Sequence, residues 1–289
     1  MISFGTVPSR RLGKSLGINN IPSKKVCSFS CRYCQLGITK KYSSARKSYF
    51  DPEIIFEEVQ KHLGKLREAD QPDYLTFVAN GEPTLDLNLG ESIERLRKFN
   101  IPIAVITNGS LLKFESVRKD LCRADWVSIK VDANIKATWE AINWPFSWLD
   151  FEEHKRGILQ FSSEFKGKLV TETMLVSGIN DSLDVIDQTS QLISQINPNT
   201  AFLSIPTRPP AIPTVKVPDE QIITEAYKVF SEKGIKTELL LGFEGTHTGY
   251  TGNAIEDIVN ICTVHPIRED TLQELLIKNQ ADNTILDTL

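Results

Sequence analysis

Three cysteines lie within eight residues of one another, at Cys27, Cys31 and Cys34, with C-x3-C-x2-C spacing. The other two cysteines, Cys122 and Cys262, are isolated in the sequence. Three clustered thiolates suit an iron–sulfur cubane in which one iron has no protein ligand. Structural zinc normally takes four protein ligands, and a disulfide would pair only two of the three thiols. The spacing therefore predicts a [4Fe–4S] cluster whose open iron is able to bind a small molecule. A chance group of inert surface cysteines is the alternative.

The elements that position this loop alternate along the chain. The predicted strands are Tyr74–Ala79, Ile103–Thr107, Trp126–Asp132, Leu169–Val176, Ala201–Pro206 and Ile235–Leu241, with a further strand ending just before Cys27. The predicted helices between them are Pro52–Arg67, Leu89–Phe99, Leu111–Leu121, Phe151–Ser162, Leu183–Ile196 and Asp219–Lys233. Repeated strand–helix units predict an α/β fold with a parallel sheet, and six or seven of them suit a closed or partly closed barrel. In such barrels the chemistry lies at the carboxyl ends of the strands.

Polar motifs follow two of these strands directly. Gly81, Glu82 and Pro83 come after the predicted strand Tyr74–Ala79. Asn108 comes directly after the predicted strand Ile103–Thr107. Glycine lets a ligand approach the backbone closely, and a neighbouring carboxylate accepts a bond from an ammonium group. Taken alone, each motif also fits an ordinary turn. Their position one and two strands after the cysteine loop favours a ligand site.

Later strands carry further candidates. Lys130 and Asp132 are two residues apart on one strand, so they project to the same face, either as a structural pair or toward a ligand. Arg208 lies in a proline-rich loop after the strand that ends at Pro206, where its guanidinium could bind a carboxylate or phosphate. A solvated loop arginine is the alternative reading.

At this point the sequence resembles a known superfamily. The cysteine loop, with Tyr33 before its last cysteine, is similar to that of the radical S-adenosylmethionine (SAM) enzymes. The resemblance implies that SAM chelates the open iron and that its reductive cleavage gives a 5′-deoxyadenosyl radical. It implies a partial (βα)6 TIM-like barrel with a small C-terminal helical extension. The cofactor contacts that it implies are Tyr33, Gly81, Glu82, Pro83, Thr107, Asn108, Lys130, Asp132, Thr173 and Val176.

Motifs near both ends of the chain resemble one branch of that superfamily. Phe4-Gly5-Thr6-Val7-Pro8 and Val264-His265-Pro266-Ile267-Arg268 are similar to the Fe–S oxidoreductases related to the tRNA wyosine-synthesis enzymes. This resemblance implies an electron donor such as flavodoxin or ferredoxin, and an unknown substrate for which RNA is one candidate. Wyosine enzymes also carry a second cluster on three upstream cysteines. No cysteine precedes Cys27 here, so that cluster cannot form in the same way.

Charge is distributed unevenly along the chain. Residues 1–50 contain ten Lys or Arg and no Asp or Glu, whereas the whole chain has a formal charge of −4. This basic segment favours an anionic ligand or RNA. The substrate candidates are Arg10 and Arg11 within it and Arg208 further along the chain. The alternative is a solvated basic loop that balances an acidic body. Two other classes stay open: an Fe–S redox sensor or electron carrier, and an RNA-binding protein without SAM chemistry.

The domain organisation follows from where the alternation stops. Residues 1–242 are expected to form the barrel with its basic N-terminal segment, and residues 243–289 a small helical extension. The sequence contains no apolar run of about 18–20 residues and no signal peptide. These features, together with clustered free thiols, predict a cytoplasmic protein that does not bind membranes.

Overall fold

A curled sheet of eight strands forms the centre of the structure, a computed structural model that describes residues 2–22, 24–242, 246, 248–264 and 266–288. The strands in chain order are β1 (Ser3–Ser9), β2 (Gly13–Ile18), β3 (Val26–Cys27), β4 (Lys41–Tyr42), β5 (Tyr74–Phe77), β6 (Ile103–Thr107), β7 (Trp126–Lys130), β8 (Lys168–Met174), β9 (Thr200–Ser204) and β10 (Thr237–Leu240). The sheet order is β1-β2-β5-β6-β7-β8-β9-β10. Only β1 and β2 pair antiparallel within this sheet, and β3 pairs with β4 separately. The result is the predicted partial barrel.

Helices cover the outside of the sheet. They are α1 (Pro52–Lys65), α2 (Leu89–Leu96), α3 (Glu115–Leu121), α4 (Lys136–Asn143), α5 (Phe151–Glu164), α6 (Leu183–Ile196), α7 (Glu220–Glu232), α8 (Ala254–Val264) and α9 (Glu269–Lys278). Short 3-10 turns occupy Glu68–Asp70, Pro83–Leu85, Arg97–Phe99 and Asn283–Thr288. The start of α1 illustrates the local rules: the Asp51 side chain accepts a bond from Glu53 N at 2.8 Å, and Pro52 follows as the first helical residue.

Alternation along the strands separates the two faces of the sheet. On β7, Val127 and Ile129 pack against the helices in the main core, whereas Trp126 points to the inside of the barrel. A smaller apolar cluster fills the amino-terminal end of the inside and comprises Leu12, Ala104, Trp126, Val170, Phe202 and Leu240. The inside positions nearer the carboxyl ends carry polar side chains instead, including Ser128, Lys130 and Glu172. The inside of the barrel is therefore filled by apolar side chains at the amino-terminal end of the strands and lined by polar side chains at their carboxyl-terminal end.

The N-terminal part of the fold differs from the sequence prediction. The strand expected just before Cys27 is only the two-residue β3, and it lies outside the main sheet. The strands β1 and β2, which were not predicted, form one edge of that sheet instead. Helix α4 was also missed. Within the described residues, the longest helices are too short or too polar to span a bilayer.

The C-terminal helices pack against the first strand. Ile258 and Ile261 of α8 form an apolar cluster with Leu275 and Leu276 of α9, and Val7 of β1 packs against it. Two helices are thus present in the part of the chain for which the sequence predicts a helical extension. Residues 243–245, 247 and 265 lie outside the described residues. The division into a barrel and an extension at residue 242 stays a prediction.

Candidate active site

A cavity of about 350 Å³ opens at the carboxyl ends of the strands. Cys27, Cys31 and Cys34 line it together with Glu82 and Asn108, and we call it the cysteine cavity. Residues from β1, β2, β5 to β9 and the cysteine loop all reach it. The fold therefore brings the three thiols and the two strand-end motifs to one place, as the strand order requires.

Each of the three cysteine sulfurs accepts a hydrogen bond from a side-chain nitrogen. Asn108 Nδ2 donates to Cys27 Sγ at 3.6 Å. Asn143 Nδ2 donates to Cys31 Sγ at 3.4 Å, and Lys25 Nζ donates to Cys34 Sγ at 3.2 Å. The three donors come from the end of β6, the end of α4 and the segment before the loop. Such donors stabilise negative charge on sulfur and orient the ligands of a metal site.

The protonation behaviour of the three thiols is consistent with a metal cluster bound to them. All three are free cysteines. Burial raises the pKa of Cys27 well above its ordinary value and that of Cys31 to about 12, with Glu82 and Cys34 adding to the respective shifts. A bound metal would deprotonate them and supply the missing positive charge. No group of three or more His, Cys, Asp or Glu in the described part of the chain is placed to hold a single metal ion. A cubane is a different case, because each cysteine ligand bonds a different iron.

Glu82 is a buried carboxylate that lines the cavity with 1% of its surface exposed. Its Oε1 accepts bonds from Thr84 Oγ1 and Thr107 Oγ1, both at 2.6 Å, and its Oε2 accepts from Asn108 N at 2.7 Å. Burial raises its pKa, and these donors oppose the rise. A carboxylate held in this way, with burial penalising its charge, is suited to bind a cationic group such as an ammonium.

Gly81 allows the cysteine loop to lie directly against this motif. Its φ of +141° is uncommon for residues with side chains, and a Cβ here would collide with the carbonyl of Val26. The close approach is secured by main-chain bonds from Val26 N to Asn80 O at 3.0 Å and from Glu82 N to Val26 O at 3.1 Å. The start of the cysteine loop and the Glu82 motif are thus joined by their backbones.

Tyr33 and Asp132 take part in a buried network behind the loop. Tyr33 Oη donates to Asp132 Oδ2 at 2.5 Å, and Asn143 Nδ2 donates to the same oxygen at 2.7 Å. Met174 N donates to Asp132 Oδ1 at 2.8 Å. Burial, followed by the charge of Asp132, raises the pKa of Tyr33. Asp132 thus ties the cysteine loop to α4 and β8 by hydrogen bonds.

Lys130 Nζ lies 3.7 Å from Asp132 Oδ1, so the structural pair considered in the sequence analysis is present. Lys130 also pairs with a carboxylate that the sequence analysis did not single out. Lys130 Nζ lies 3.3 Å from Glu172 Oε1, and Arg11 Nη1 lies 2.9 Å from Glu172 Oε2. Ser204 Oγ donates to Glu172 Oε1 at 3.1 Å. Burial opposes the charge on Glu172, but Arg11 and Lys130 outweigh burial and hold its pKa at about 2. Burial likewise opposes the charge on Lys130, and Asp132 and Glu172 overcome it and raise its pKa.

The predicted site residues fall into two sets. The described residues that line the cysteine cavity include these predicted ones: Arg10, Arg11, Cys27, Cys31, Tyr33, Cys34, Gly81, Glu82, Thr107, Asn108, Lys130 and Arg208. Four predicted ones are not in that lining: Pro83, Asp132, Thr173 and Val176. All four are buried, and Thr173 Oγ1 donates to Val131 O at 2.6 Å on the helix-facing side of β8.

Four residues of the site were missed by sequence reasoning. Glu172 and Met174 occupy the inward face of β8, whereas Thr173, the predicted residue, lies between them on the other face. The sequence of β8 does not show which of its residues face the inside of the barrel, because polar residues occur on both faces of the strand. Lys25 could have been found from its charge two residues before Cys27. Asn143 could not, since it is far from the loop in sequence.

These residues match a known family. The family model for the radical SAM superfamily matches residues 21–188, a span that holds the cysteine loop, Glu82, Asn108 and Lys130. The chain therefore belongs to the radical SAM superfamily.

Relatives of this chain include a UPF0026 protein of Methanocaldococcus jannaschii. The two are 44% identical over 290 residues, covering 100% of this chain and 90% of the relative. A solved structure of TYW1 with a lysine–pyruvate adduct bound is similar with a TM-score of 0.58 and 18% identity, over 77% of this chain and 75% of that one. Streptococcus suis SuiB bound to S-adenosylmethionine has a TM-score of 0.56 at 10% identity, over 77% of this chain and 49% of that one. At these identities the two structures show a shared fold.

Proposed function

We propose that this protein is a radical SAM enzyme whose [4Fe–4S] cluster is held by Cys27, Cys31 and Cys34. When bound, the cluster and SAM together supply a 5′-deoxyadenosyl radical that abstracts a hydrogen atom from the substrate. One observation carries the proposal: three free thiols and a buried carboxylate line the same cavity. An electron carrier would need the thiols but not Glu82 or the strand end at Asn108.

The residues of the cavity have distinct tasks in this proposal. Glu82 would hold the amino group of SAM, because its two oxygens are fixed by Thr84, Thr107 and Asn108. Asn108 would orient Cys27 as well, since its side chain donates to Cys27 Sγ. Preorganisation of this kind means that little reorientation is needed when the cofactor binds.

Lys130 and Arg11 would place positive charge beside the reacting substrate. Lys130 Nζ lies 5.0 Å from the centre of the Tyr33 ring, and both cationic side chains line the cavity. Glu172 balances them from beneath. A polar substrate would therefore meet N–H donors that ion pairs hold in place.

Anaerobic reconstitution tests the proposal. The protein supplied with iron and sulfide should bind about four irons per chain, and dithionite should then yield 5′-deoxyadenosine from SAM. Cys34→Ala should abolish this product. Cys122→Ala is the matched control, because Cys122 is exposed and lies outside the cavity lining, and it should behave as the unchanged protein.

A different result would favour the redox carrier. A cluster that cycles reversibly by one electron, while SAM leaves its electron paramagnetic resonance spectrum unchanged and is not cleaved, would contradict the enzymatic proposal. Flavodoxin or ferredoxin as the electron donor stays a prediction. Compartment also stays a prediction.

The basic segment, residues 1–50, gives less support for an RNA substrate than its number of cationic side chains indicates, because many of these side chains contact the protein itself. Arg11 pairs with Glu172, and Lys25 donates to Cys34. Arg46 Nη2 lies 2.5 Å from Asp120 Oδ2, and Lys14 Nζ donates to Ala69 O. Arg10 Nη1 also donates to Gly242 O, and the Arg32 guanidinium lies over the Trp144 ring. At least six of the ten cationic side chains in residues 1–50 are thus engaged within the protein. A nucleoside in RNA remains a predicted substrate, and nucleoside profiling of a deletion strain would test it.

A further inference from the structure

Four aromatic side chains form a continuous band beside the cysteine loop, and we call this band the aromatic ridge: Tyr42, Trp144, Phe146 and Trp148. The rings of Tyr42 and Phe146 stack with centroids 5.8 Å apart, and the rings of Phe146 and Trp148 meet edge to face at 5.8 Å. Tyr42 Oη donates to Trp144 O at 3.4 Å. Trp144 and Trp148 are 37% and 46% exposed. Exposed aromatic side chains grouped in this way are typical of a surface that binds another protein.

Trp144 occupies a backbone position that suits a different residue. It ends α4 in the left-handed conformation, with φ of +41°. Asn100 and Asn197 take the equivalent position after a 3-10 turn and after α6, with φ of +55° and +51°. Asparagine and glycine adopt this conformation readily, whereas a bulky side chain adopts it at a cost in free energy. The strain indicates that the tryptophan serves a purpose other than ending the helix.

The ridge packs directly on the loop that carries the cysteines. Between Cys27 and Cys31, Ser30 N donates to the carbonyl oxygens of Asn143 and Trp144, both at 3.0 Å. Asn143, the residue before Trp144, donates from Nδ2 to Cys31 Sγ at 3.4 Å. The path from an exposed ring to a proposed cluster ligand therefore consists of one peptide link and one hydrogen bond.

The ridge also lies apart from the cysteine cavity. None of its four residues is among the described residues that line that cavity. A substrate held on the ridge alone would not reach a radical formed inside the cavity. A donor of electrons, in contrast, needs to approach only the cysteine ligands, and the ridge gives access to them while SAM fills the cavity. The position of the ridge therefore favours an electron donor over a substrate.

One end of the ridge is cationic. The Arg32 guanidinium lies 4.8 Å from the centre of the Trp144 ring. Lys41 immediately precedes Tyr42 in the chain, and both Lys41 and Lys40 are exposed. The segment that supplies these three cations, residues 1–50, contains no Asp or Glu. We call the part of the ridge next to them its cationic end.

Other charges near the ridge are of both signs. Lys113 Nζ lies 5.0 Å from the centre of the Trp148 ring and pairs with Glu153 Oε2 at 2.8 Å. Glu140 and Asp150 are exposed on α4 and at the start of α5, and Glu140 forms an ion pair with a lysine of its own helix. An acidic partner is therefore expected to lie toward the cationic end.

We propose that the aromatic ridge docks a small one-electron donor protein with an acidic contact face, and that this donor reduces the cluster through the cysteine loop. One electron passes from the donor, which is oxidised, to the cluster, which is reduced, and no bond forms or breaks. Aromatic anchors supply affinity and the neighbouring cations supply orientation, in an interface of the small size that electron-transfer complexes have. The inference rests on the proposed function, which requires reduction of the cluster before SAM is cleaved.

Titration calorimetry with two purified probes tests the docking. The probes are an oxidised ferredoxin and an oxidised flavodoxin, each of net negative charge, and the full chain is used before and after cluster reconstitution. We expect saturable binding of at least one probe, one molecule per chain. Added salt should weaken this binding, because charge contributes to it.

Variants assign the binding to the ridge. Trp144→Asn should weaken the bound probe at least about tenfold, as expected for loss of an aromatic anchor. The melting temperature should stay the same or rise, because asparagine suits the left-handed turn. Lys41→Gln should weaken binding less, and mainly at low salt. Tyr227→Asn is the matched control, since Tyr227 is an aromatic residue of α7 that is 41% exposed, and it should leave binding unchanged.

A second measurement compares two sources of electrons. Dithionite is a small reductant that needs no docking surface, whereas a pre-reduced donor protein does. In Trp144→Asn, the 5′-deoxyadenosine formed with the donor protein, relative to that formed with dithionite, should fall at least about tenfold. The same ratio in Tyr227→Asn should match that of the unchanged protein.

Four results would overturn the inference. Neither probe binds, or a probe binds and Trp144→Asn weakens it no more than Tyr227→Asn does. A single-stranded RNA oligonucleotide, and neither donor, binds in a way that Trp144→Asn abolishes, which would assign the ridge to base stacking. The chain forms a dimer in sedimentation that Trp144→Asn dissociates, which would assign the ridge to a second copy.

Failure of this inference is distinguishable from failure of the proposed function. A protein that cleaves SAM with dithionite and binds no donor loses only the docking site. A protein that binds a donor on the ridge but cleaves no SAM with dithionite contradicts the radical chemistry.

Discussion

The cysteine cavity adjoins a second cavity of similar volume, about 360 Å³, yet the polar groups of the two are arranged in opposite ways. We call the second one the seam cavity, because it lies between β1 and β10, the two edges of the curled sheet. Its lining includes residues of β1, of α8 and of the segments after β9 and β10: Val7, Pro8, Thr207, Arg208, Leu241, Gly242 and Ile261.

In the cysteine cavity, Glu82, Lys130 and Glu172 are held by bonds from neighbouring strands. In the seam cavity, arginines stand against aliphatic side chains, and Thr248 Oγ1 has no partner among the described residues. Groups with fixed partners are preorganised to bind a ligand in one orientation, whereas an aliphatic wall accepts apolar groups in several orientations.

The strand arrangement explains the contrast. The cysteine cavity lies over the parallel strands, whose regular register places polar residues of adjacent strands opposite each other, as with Lys130 and Glu172. The seam lies where the sheet ends, so β1 and β10 have no common register. The loops and helices that fill this gap supply side chains without strand partners. Chemistry common to the superfamily is thus expected over the sheet, and chemistry particular to this chain in the seam.

Of the changes considered, replacement of Glu172 should have the largest effect, which is on the free energy of unfolding. Glu172→Gln removes the carboxylate that Arg11 and Lys130 share and leaves Lys130 with Asp132, 3.7 Å away. Removal of one partner from a buried ion pair costs about 3 kcal/mol. We expect the free energy of unfolding, measured by urea denaturation at neutral pH, to fall by about that amount. Glu238→Gln is the control, because its pair with Lys236 is exposed, and it should change little.

The same variant has a defined pH dependence. The folded-state pKa of Glu172, about 2, is below its ordinary value of 4.5, so its contribution to stability is complete above pH 4.5. That contribution is lost as the pH falls from 4.5 toward 2. The difference in unfolding free energy between the two proteins should therefore shrink across this interval. A difference that stays constant down to pH 2 would show that Glu172 stabilises by packing.

Glu82 tests whether the cysteine cavity and the aromatic ridge act independently. Glu82→Gln removes the charge that the proposed ammonium contact requires, so SAM affinity should fall about tenfold to a hundredfold. Binding of the acidic donor protein at the ridge should not change. Titration calorimetry on the reconstituted protein measures both. Parallel loss of the two affinities would mean that the variant disturbs the fold, a possibility that melting temperature checks.

Lys25 gives the smallest expected effect and the sharpest control. Its ammonium donates to Cys34 Sγ and would stabilise the more negative, reduced form of the proposed cluster, so Lys25→Met should lower the reduction potential. Lys24→Met removes the same charge one residue earlier, from an exposed side chain, and should have less effect. A redox titration followed by electron paramagnetic resonance separates them. Equal shifts in both variants would assign the effect to general charge.

Sequence patterns predicted the elements whose apolar residues are dense. The parallel strands from β5 to β9 and the long helices α1, α5 and α6 overlap their predicted ranges, because buried strands and amphipathic helices have strong periodicity. Strands β1 and β2 were missed, since glycine, serine and lysine interrupt them. Their pairing depends on close contact, such as that of Phe4 over Gly17, which sequence periodicity does not report.

The candidate site was predictable where its residues belong to local motifs. The cysteine spacing and the strand-end motifs name Cys27, Glu82 and Asn108 directly. Asn143 was not predictable, because its contact with Cys31 depends on how α4 packs after a left-handed turn at Trp144. The seam cavity was equally hidden, since it forms only when both sheet edges and the C-terminal helices come together. Local chemistry was visible in the sequence and distant pairing was not.

The backbone junction at Gly81 has a consequence for how this family can diversify. Main-chain bonds fix the spacing between the cysteine loop and the carboxylate motif, so side-chain substitutions other than at Gly81 leave this spacing unchanged. A related protein with a different reaction would therefore keep this spacing. Its substitutions should lie instead along the rim between the first and last strands of the sheet.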